Sequence, residues 1–136
     1  MRVVLDVNVL ISALLSPVGA PARILSAWQR GAFDLIISPL LLAELRRALA
    51  YPKLRRRITS AEATVFLDWL ARAATMAQDP VDSPVVRSED PGDDYLLALA
   101  AAEDAALVSG DGHLLAFSRE LPIYDPTTFL ALIGEA

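Results

Sequence analysis

Cysteine is absent from this chain, which excludes disulfides, thiolate metal sites and cysteine nucleophiles together. A single histidine, His113, is too few for the usual imidazole zinc site. Any bound metal must therefore rely on oxygen ligands, which favours magnesium, manganese or calcium. Long apolar runs are missing too, since none approaches the ~18 residues that a spanning helix needs. The longest, Tyr95 to Ala102, is closed by Asp94 and Glu103 and suits a buried helix, so no membrane segment is expected. The opening residues already carry Arg2 and Asp6, where a signal peptide would keep its apolar core, so the expected location is the cytoplasm. Basic residues are scarce: 12 Lys and Arg against 17 Asp and Glu give a net charge of −5, which opposes contact with a polyanion.

What the chain does have is apolar material. At 136 residues and 54% hydrophobic composition, it is expected to form one domain over residues 1–136 with a single core. No repeat or low-complexity segment interrupts it. Val3-Val4-Leu5 is apolar on both faces, as in a strand buried within a parallel sheet. Val7, Leu10, Ile11 and Leu14 then follow helical spacing. After the Ser16–Gly19 break, Pro21 begins a helix carrying Ile24, Leu25 and Trp28. Phe33 to Ile37 reads as the second strand, and Ser38-Pro39 as the cap and first position of a helix reaching about Leu49. Thr59 or Ser60 caps the next helix, with Val65, Phe66, Trp69, Leu70 and Ala73 as its apolar stripe. Thr75 to Val86 has no single pattern, and the three prolines between 80 and 91 suggest an extended loop after a short strand; the most apolar helix starts at Asp90–Asp93 and runs to about Ala105. Ala106 to Ser109 forms a strand ending in Gly110-Asp111-Gly112, Leu121 to Tyr124 an edge strand, and Pro126 starts the last helix. This alternation predicts an α/β fold, a three-layer α/β/α sandwich around a mainly parallel sheet of four or five strands.

In such a sheet the ligand crevice lies outside the carboxyl ends of the strands. Asp6 and Asp111 each follow an apolar strand directly. Asp94 lies near the start of its helix, and Glu44 slightly more than one turn into the helix after the second strand. Four acids distant in sequence are thus expected to converge on one edge. Setting them aside brings the net charge from −5 to −1, so bound cations would remove most of the excess. Glu44 lies three after Leu41 and four before Ala48, on the apolar face, where a carboxylate needs a partner. That partner is either a metal ion or Arg46 or Arg47. Each other acid also has an ordinary structural reading: Asp6 capping a turn with Asn8, Asp94 at the positive end of a helix, and Asp111 in a glycine turn.

The segment Asp6-Val7-Asn8-Val9-Leu10-Ile11-Ser12 resembles the opening motif of the PIN-domain nucleases. Glu44 is similar to their second acid, Asp93 to Ala100 to their third block, and Leu107 to Asp111 to their fourth. The blocks keep the family's order over most of the chain, and the nearest likeness is to the VapC-like toxin ribonucleases of type II toxin–antitoxin pairs. The resemblance implies RNA cleavage dependent on Mg2+ or Mn2+, a homodimer, and a cognate antitoxin. It assigns catalysis and metal binding to Asp6, Glu44, Asp94 and Asp111, with Asn8 and Ser109 as supporting polar groups. Asp6 and Asp94 would hold the first metal, and Glu44 and Asp111 would bind directly or through water. Many members carry another acid two or three positions after the fourth. Here those positions hold His113 and Leu114, which puts the second metal position in question and leaves His113 a supporting role at most.

Arg46, Arg47, Lys53, Arg55, Arg56 and Arg57 form a candidate track for the RNA backbone, or else a solvated helix end. Trp28, Phe66, Trp69 and Phe129 occupy helical-stripe positions that suit core packing better than base stacking. An exposed apolar helix face would serve a dimer or the antitoxin. Two rival readings stand beside the nuclease. One is a catalytically inactive PIN-like domain that binds metal or a protein partner. The other is a phosphatase-like hydrolase with Asp6 as nucleophile, which is disfavoured because Asn8 stands where a second aspartate is usual and the lysine-bearing block is missing.

Overall fold

A computed structural model describes residues 1–81 and 94–135. The chain opens with β1 (Arg2–Leu5), α1 (Val7–Leu15), α2 (Ala20–Gln29) and β2 (Asp34–Ile37). α3 (Pro39–Leu49), α4 (Pro52–Arg55), α5 (Ser60–Ala73) and β3 (Thr75–Met76) follow. The remainder is α6 (Asp94–Ala102), β4 (Ala106–Val108), α7 (Gly112–Leu115), β5 (Ile123–Tyr124) and α8 (Pro126–Leu132). Among the described residues all strand pairings are parallel, in the order β3-β2-β1-β4-β5. With helices flanking the sheet, this is the expected α/β/α sandwich, with five strands.

The central strands explain their own burial. Val3, Val4, Leu5, Leu35, Ile36 and Leu107 are fully buried, as the unbroken apolar runs require of strands covered on both faces. At the amino edge, the Arg2 guanidinium donates to the carbonyl and carboxylate of Glu103 and lies near Asp34, which accepts from the Thr75 hydroxyl. These contacts link four strand-end segments on the side opposite the crevice.

α3 begins where Ser38 accepts from the Leu41 amide and Pro39 takes the first helical position. α5 begins with a capping box between Thr59 and Glu62. Three expectations are corrected. α6 stops at Ala102 rather than about Ala105, because Asp104 adopts φ 50° and the Ala105 amide closes back on Ala100. α4 and α7 are short helices in stretches to which the sequence reading assigned no element. The buried face of α5 is Ala63, Phe66, Leu67 and Leu70, whereas Val65 is 68% exposed. The predicted stripe was therefore rotated away from the true core face. The helix start at Asp90–Asp93 and most of the proline-rich loop lie outside the described residues. No single helix among the described residues is long and apolar enough to cross a membrane.

Candidate active site

From β1 the chain builds β2 and β3 on one side of the sheet, then crosses to build β4 and β5 on the other. The carboxyl ends of β1 and β4 therefore flank the switch in direction, where open α/β sheets form their crevice. Asp6 and Asp111 both lie there. The Asp6 amide continues the ladder by donating to the Val108 carbonyl at 2.9 Å, so the backbone at this position is held by the sheet itself.

The Asp6 side chain is nearly enclosed, with the residue 5% exposed. Its Oδ2 accepts from the Ser109 hydroxyl at 2.7 Å, and Oδ1 makes a long 3.5 Å contact with the Asn8 amide while capping α1. Burial raises the carboxyl above the usual carboxylate range. The Ser109 hydroxyl and the Asn8 and Val7 amides oppose that rise, and the negative charge of Asp111 adds to it. Ser109 is fully buried, and its hydroxyl is committed on both sides: it donates to Asp6 and accepts from the Asp111 amide at 3.0 Å. The Ser109 amide donates to the Tyr124 carbonyl, tying the same residue to β5. Ser109 thus orients Asp6 and the Asp111 turn together and has no hydroxyl proton left for another acceptor.

Asp111 caps α7 by accepting from the His113 amide at 2.9 Å, and the His113 ring lies 3.6 Å from the same carboxylate. Asp94 is the first residue of α6, which packs on β1 and β4. Glu44 behaves differently. Its side chain is 41% exposed and forms an ion pair with Arg47 one turn along α3, at the margin of the buried Leu41–Leu45 face. Among the described residues, no three acidic or histidine side chains stand close enough to share one ion. The tight part of the constellation is therefore Asp6, Ser109 and Asp111.

Asn8 contributes its backbone amide to Asp6, and its side chain is exposed. The basic residues Arg46, Arg47, Lys53, Arg55, Arg56 and Arg57 are all exposed. Arg57 donates to the Leu15 carbonyl in the last turn of α1, roughly 13 Å of helix away from Asp6. The run therefore lies at the far ends of α1 and α3. Phe66 and Phe129 are buried as expected, whereas Trp28 and Trp69 are half-buried and meet at 5.0 Å between ring centroids.

Two further acids share this edge. Asp125 follows β5 and caps α8 through the Thr128 amide at 2.7 Å, a role its place before Pro126 would have revealed. Asp79 follows β3, and its Oδ2 accepts from the Leu40 amide of α3 at 2.9 Å, while Oδ1 is buried without a hydrogen-bond partner. No local pattern signals a cap delivered from 39 residues away. The starts of α1, α3, α7 and α8 are thus each occupied by a carboxylate of this chain, and α6 begins with one. Helix N-termini ordinarily attract anions. Here they are already filled, so the edge is suited to cations. The all-oxygen donor set and the mutual repulsion of Asp6 and Asp111 fit a hard divalent ion.

A family model described as PIN domain matches residues 2–113. A protein of Methanocaldococcus jannaschii, uncharacterized protein MJ1680, is 28% identical over 121 residues, covering 88% of this chain and 77% of that protein. PAE2754 from Pyrobaculum aerophilum is similar in fold, with a TM-score of 0.69 and 19% identity over 100% of this chain and 91% of that one. VapBC2 from Rickettsia felis, crystallised with a DNA fragment from its promoter, gives a TM-score of 0.62 and 17% identity over 92% and 98% of the two chains. FitAcB from Neisseria gonorrhoeae gives 0.60 and 19% over the same shares, 92% and 98%.

Proposed function

The chain belongs to the PIN-domain family, whose members are generally nucleases and typically use divalent metal ions, and from that premise we propose that it is a metal-dependent endoribonuclease and the toxin of a toxin–antitoxin pair. The observation that carries the reading is the buried Asp6 carboxylate, held by Ser109 and facing Asp111 at the switch point of the sheet. A carboxylate this enclosed, beside another negative charge, is costly without a cation to offset it.

When bound there, Mg2+ or Mn2+ supplies charge neutralisation on the phosphate and lowers the pKa of a coordinated water. Asp6 and Asp111 would hold it, and Asp94, in the first turn of α6, would join only after its side chain moves towards them. Ser109 keeps one oxygen of Asp6 engaged and directs Oδ1 as the less committed donor. Glu44 would contribute after releasing Arg47, an exposed i,i+3 pair of the kind worth about 0.5 kcal/mol or less. His113 stands beside Asp111 in place of a further acid, suited to hydrogen bonding rather than to a second metal position. The Arg46–Arg57 run would hold RNA backbone away from the cleaved bond. The likeness in fold to VapBC2 and FitAcB, together with the VapC-like motifs, supports a cognate antitoxin for this chain, and a cytoplasmic location and a homodimer belong to the same reading.

Cleavage of labelled RNAs, structured and unstructured, tests the proposal. Activity is expected with Mg2+ or Mn2+, and its loss in EDTA and in an identically purified Asp6→Asn variant. Cleavage surviving both controls would come from a contaminant. Absence of cleavage by the folded wild-type protein on every RNA would favour a binding-only domain.

A further inference from the structure

The carboxyl end of α6 closes as a complete Schellman turn: the Ala105 amide donates to the Ala100 carbonyl at 2.9 Å, and the Asp104 amide to the Ala101 carbonyl at 3.3 Å. The residues joined by the longer-range bond of such a turn frequently pack together and seal the helix end. Here both are alanine, and the space they leave stays open. It forms a cavity of about 190 Å3 between the end of α6 and the starts of β4 and β5. Leu97, Leu107 and Ile123, all buried, make its floor, and Ala101, Asp104 and Pro122, all exposed, make its mouth. The cavity is thus an apolar pocket open to water at one end. It lies at the amino edge of the sheet, roughly 13 Å of helix away from Asp94 and the crevice.

Asp104 is the charged residue in this lining, and two local effects oppose an aspartate there. Its backbone is left-handed, with φ 50°, a conformation that favours glycine. Its carboxylate also sits at the negative end of α6, where cations are favoured and anions are not. Nothing in the chain offsets these costs: among the described residues the Asp104 side chain makes no hydrogen bond or ion pair. The Arg2 guanidinium, at the same edge, is spent on Glu103 and lies near Asp34, and it does not line the cavity. A packing defect accounts for an empty space but not for an unpaired charge held at its entrance. Carboxylate and helix end together make the mouth attractive to a cation, while the floor accepts only an apolar body.

We infer that this cavity is a binding site for a compact apolar amine, whose ammonium group meets Asp104 while its hydrocarbon body fills the space against Leu97, Leu107 and Ile123. Size sets the class. An apolar cavity of about 150 Å3 accepts benzene, so this one accepts a single six-membered ring with a one-carbon arm, or a branched chain of similar bulk. Charge sets the pose, since the reverse orientation would bury the ammonium group without a partner. The site stands apart from the Asp6 crevice, joined to it only by α6, and the inference does not rest on nuclease activity.

Titration of benzylamine into the full chain, without RNA or metal, tests this by amide proton–nitrogen correlation spectra, with benzyl alcohol as the neutral counterpart of the same shape. Saturable shifts are expected at the amides of Ala100, Ala105, Leu107 and Ile123, with a Kd of about 1 mM, in keeping with so small a ligand. Benzyl alcohol should bind roughly threefold more weakly, and Asp104→Asn should bring benzylamine to that same level, the size expected of an exposed ion pair. Asparagine accepts the left-handed backbone, so this variant keeps the turn. Ala101→Phe, at an exposed position on the mouth, should abolish the shifts for both compounds. Absence of saturable shifts at these amides, equal affinity for the two compounds, or benzylamine binding that Asp104→Asn or Ala101→Phe leaves unchanged would each overturn the inference. Shifts confined to the crevice around Asp6 would show general attraction to carboxylates and overturn it equally. Circular dichroism confirms folding of each variant. If Ala101→Phe fails to fold, Asp104→Asn and the benzyl alcohol comparison decide alone.

Discussion

Replacing Ser109 with alanine removes one oxygen from a fully buried place, and the structure sets the size of the effect. The hydroxyl donates to the Asp6 carboxylate at 2.7 Å and accepts from the Asp111 amide at 3.0 Å. A hydrogen bond to a charged group contributes about 1.5–3 kcal/mol, and the lost acceptor for a partly buried amide adds roughly 0.5–1.5 kcal/mol. Serine and alanine differ little in volume, so no large cavity term enters. A destabilisation of about 2–4.5 kcal/mol follows, which for a chain of this length lowers Tm by about 7–16 °C. The loss also depends on pH. The Asp6 carboxyl is already raised from 3.8 by burial, and the Ser109 hydroxyl is the largest influence lowering it. Without that hydroxyl it rises further. A raised carboxyl binds its proton more tightly in the folded state, so stability declines as pH climbs from about 3.8 through the folded value. Ser109→Ala should therefore be least harmful in acid and most harmful near neutrality. Thermal melts of both proteins between pH 3.5 and roughly 7.5 read this directly. A Tm difference that does not widen with pH would refute the coupling between Ser109 and an ionised Asp6.

Asp6→Asn abolishes the buried charge, so the metal-free variant should equal or exceed the wild type in stability near neutral pH, by up to roughly 2 kcal/mol, while losing RNA cleavage. The same sign governs its pH profile: any gain vanishes as pH falls towards 3.8, and a variant that melts lower at neutrality contradicts the cost assigned to Asp6. Arg47→Ala should leave stability within about 0.5 kcal/mol and free Glu44, tightening Mn2+ binding about twofold; unchanged or weaker binding removes Glu44 from the metal site. Changing Arg55, Arg56 and Arg57 together to glutamine should flatten the logarithmic salt dependence of RNA binding by about 2. An unaltered slope would show that the run is only a solvated helix end.

Strands announced themselves because burial on both faces demands unbroken apolar runs, as in Val3-Val4-Leu5 and Ala106-Leu107-Val108. The acids that follow those strands were legible for the same reason: Asp6 and Asp111 are the first charges after chain that must leave the core. Convergence across the sheet was readable only as topology, since the Ser109–Asp6 bond joins residues 103 apart. Glu44 shows the limit of helical spacing. Its position relative to Leu41 and Leu45 fits either a metal or Arg47, and the side-chain conformer settles on Arg47. Asp79 was invisible because its contact with Leu40 depends on where β3 ends beside α3. On α5, apolar residues cover more than the core face, so periodicity included Val65 with residues that are truly buried. The cap at Thr59, in contrast, depends on neighbours three apart and was fully local.

Titration of Mn2+ into the metal-free protein, followed by the electron paramagnetic resonance of the free ion, tests the central claim most directly. The wild type should withdraw Mn2+ from solution, and the folded Asp6→Asn protein should leave it free. Equal withdrawal by both proteins would contradict the assignment of the buried Asp6 crevice as the place where the catalytic cation is held.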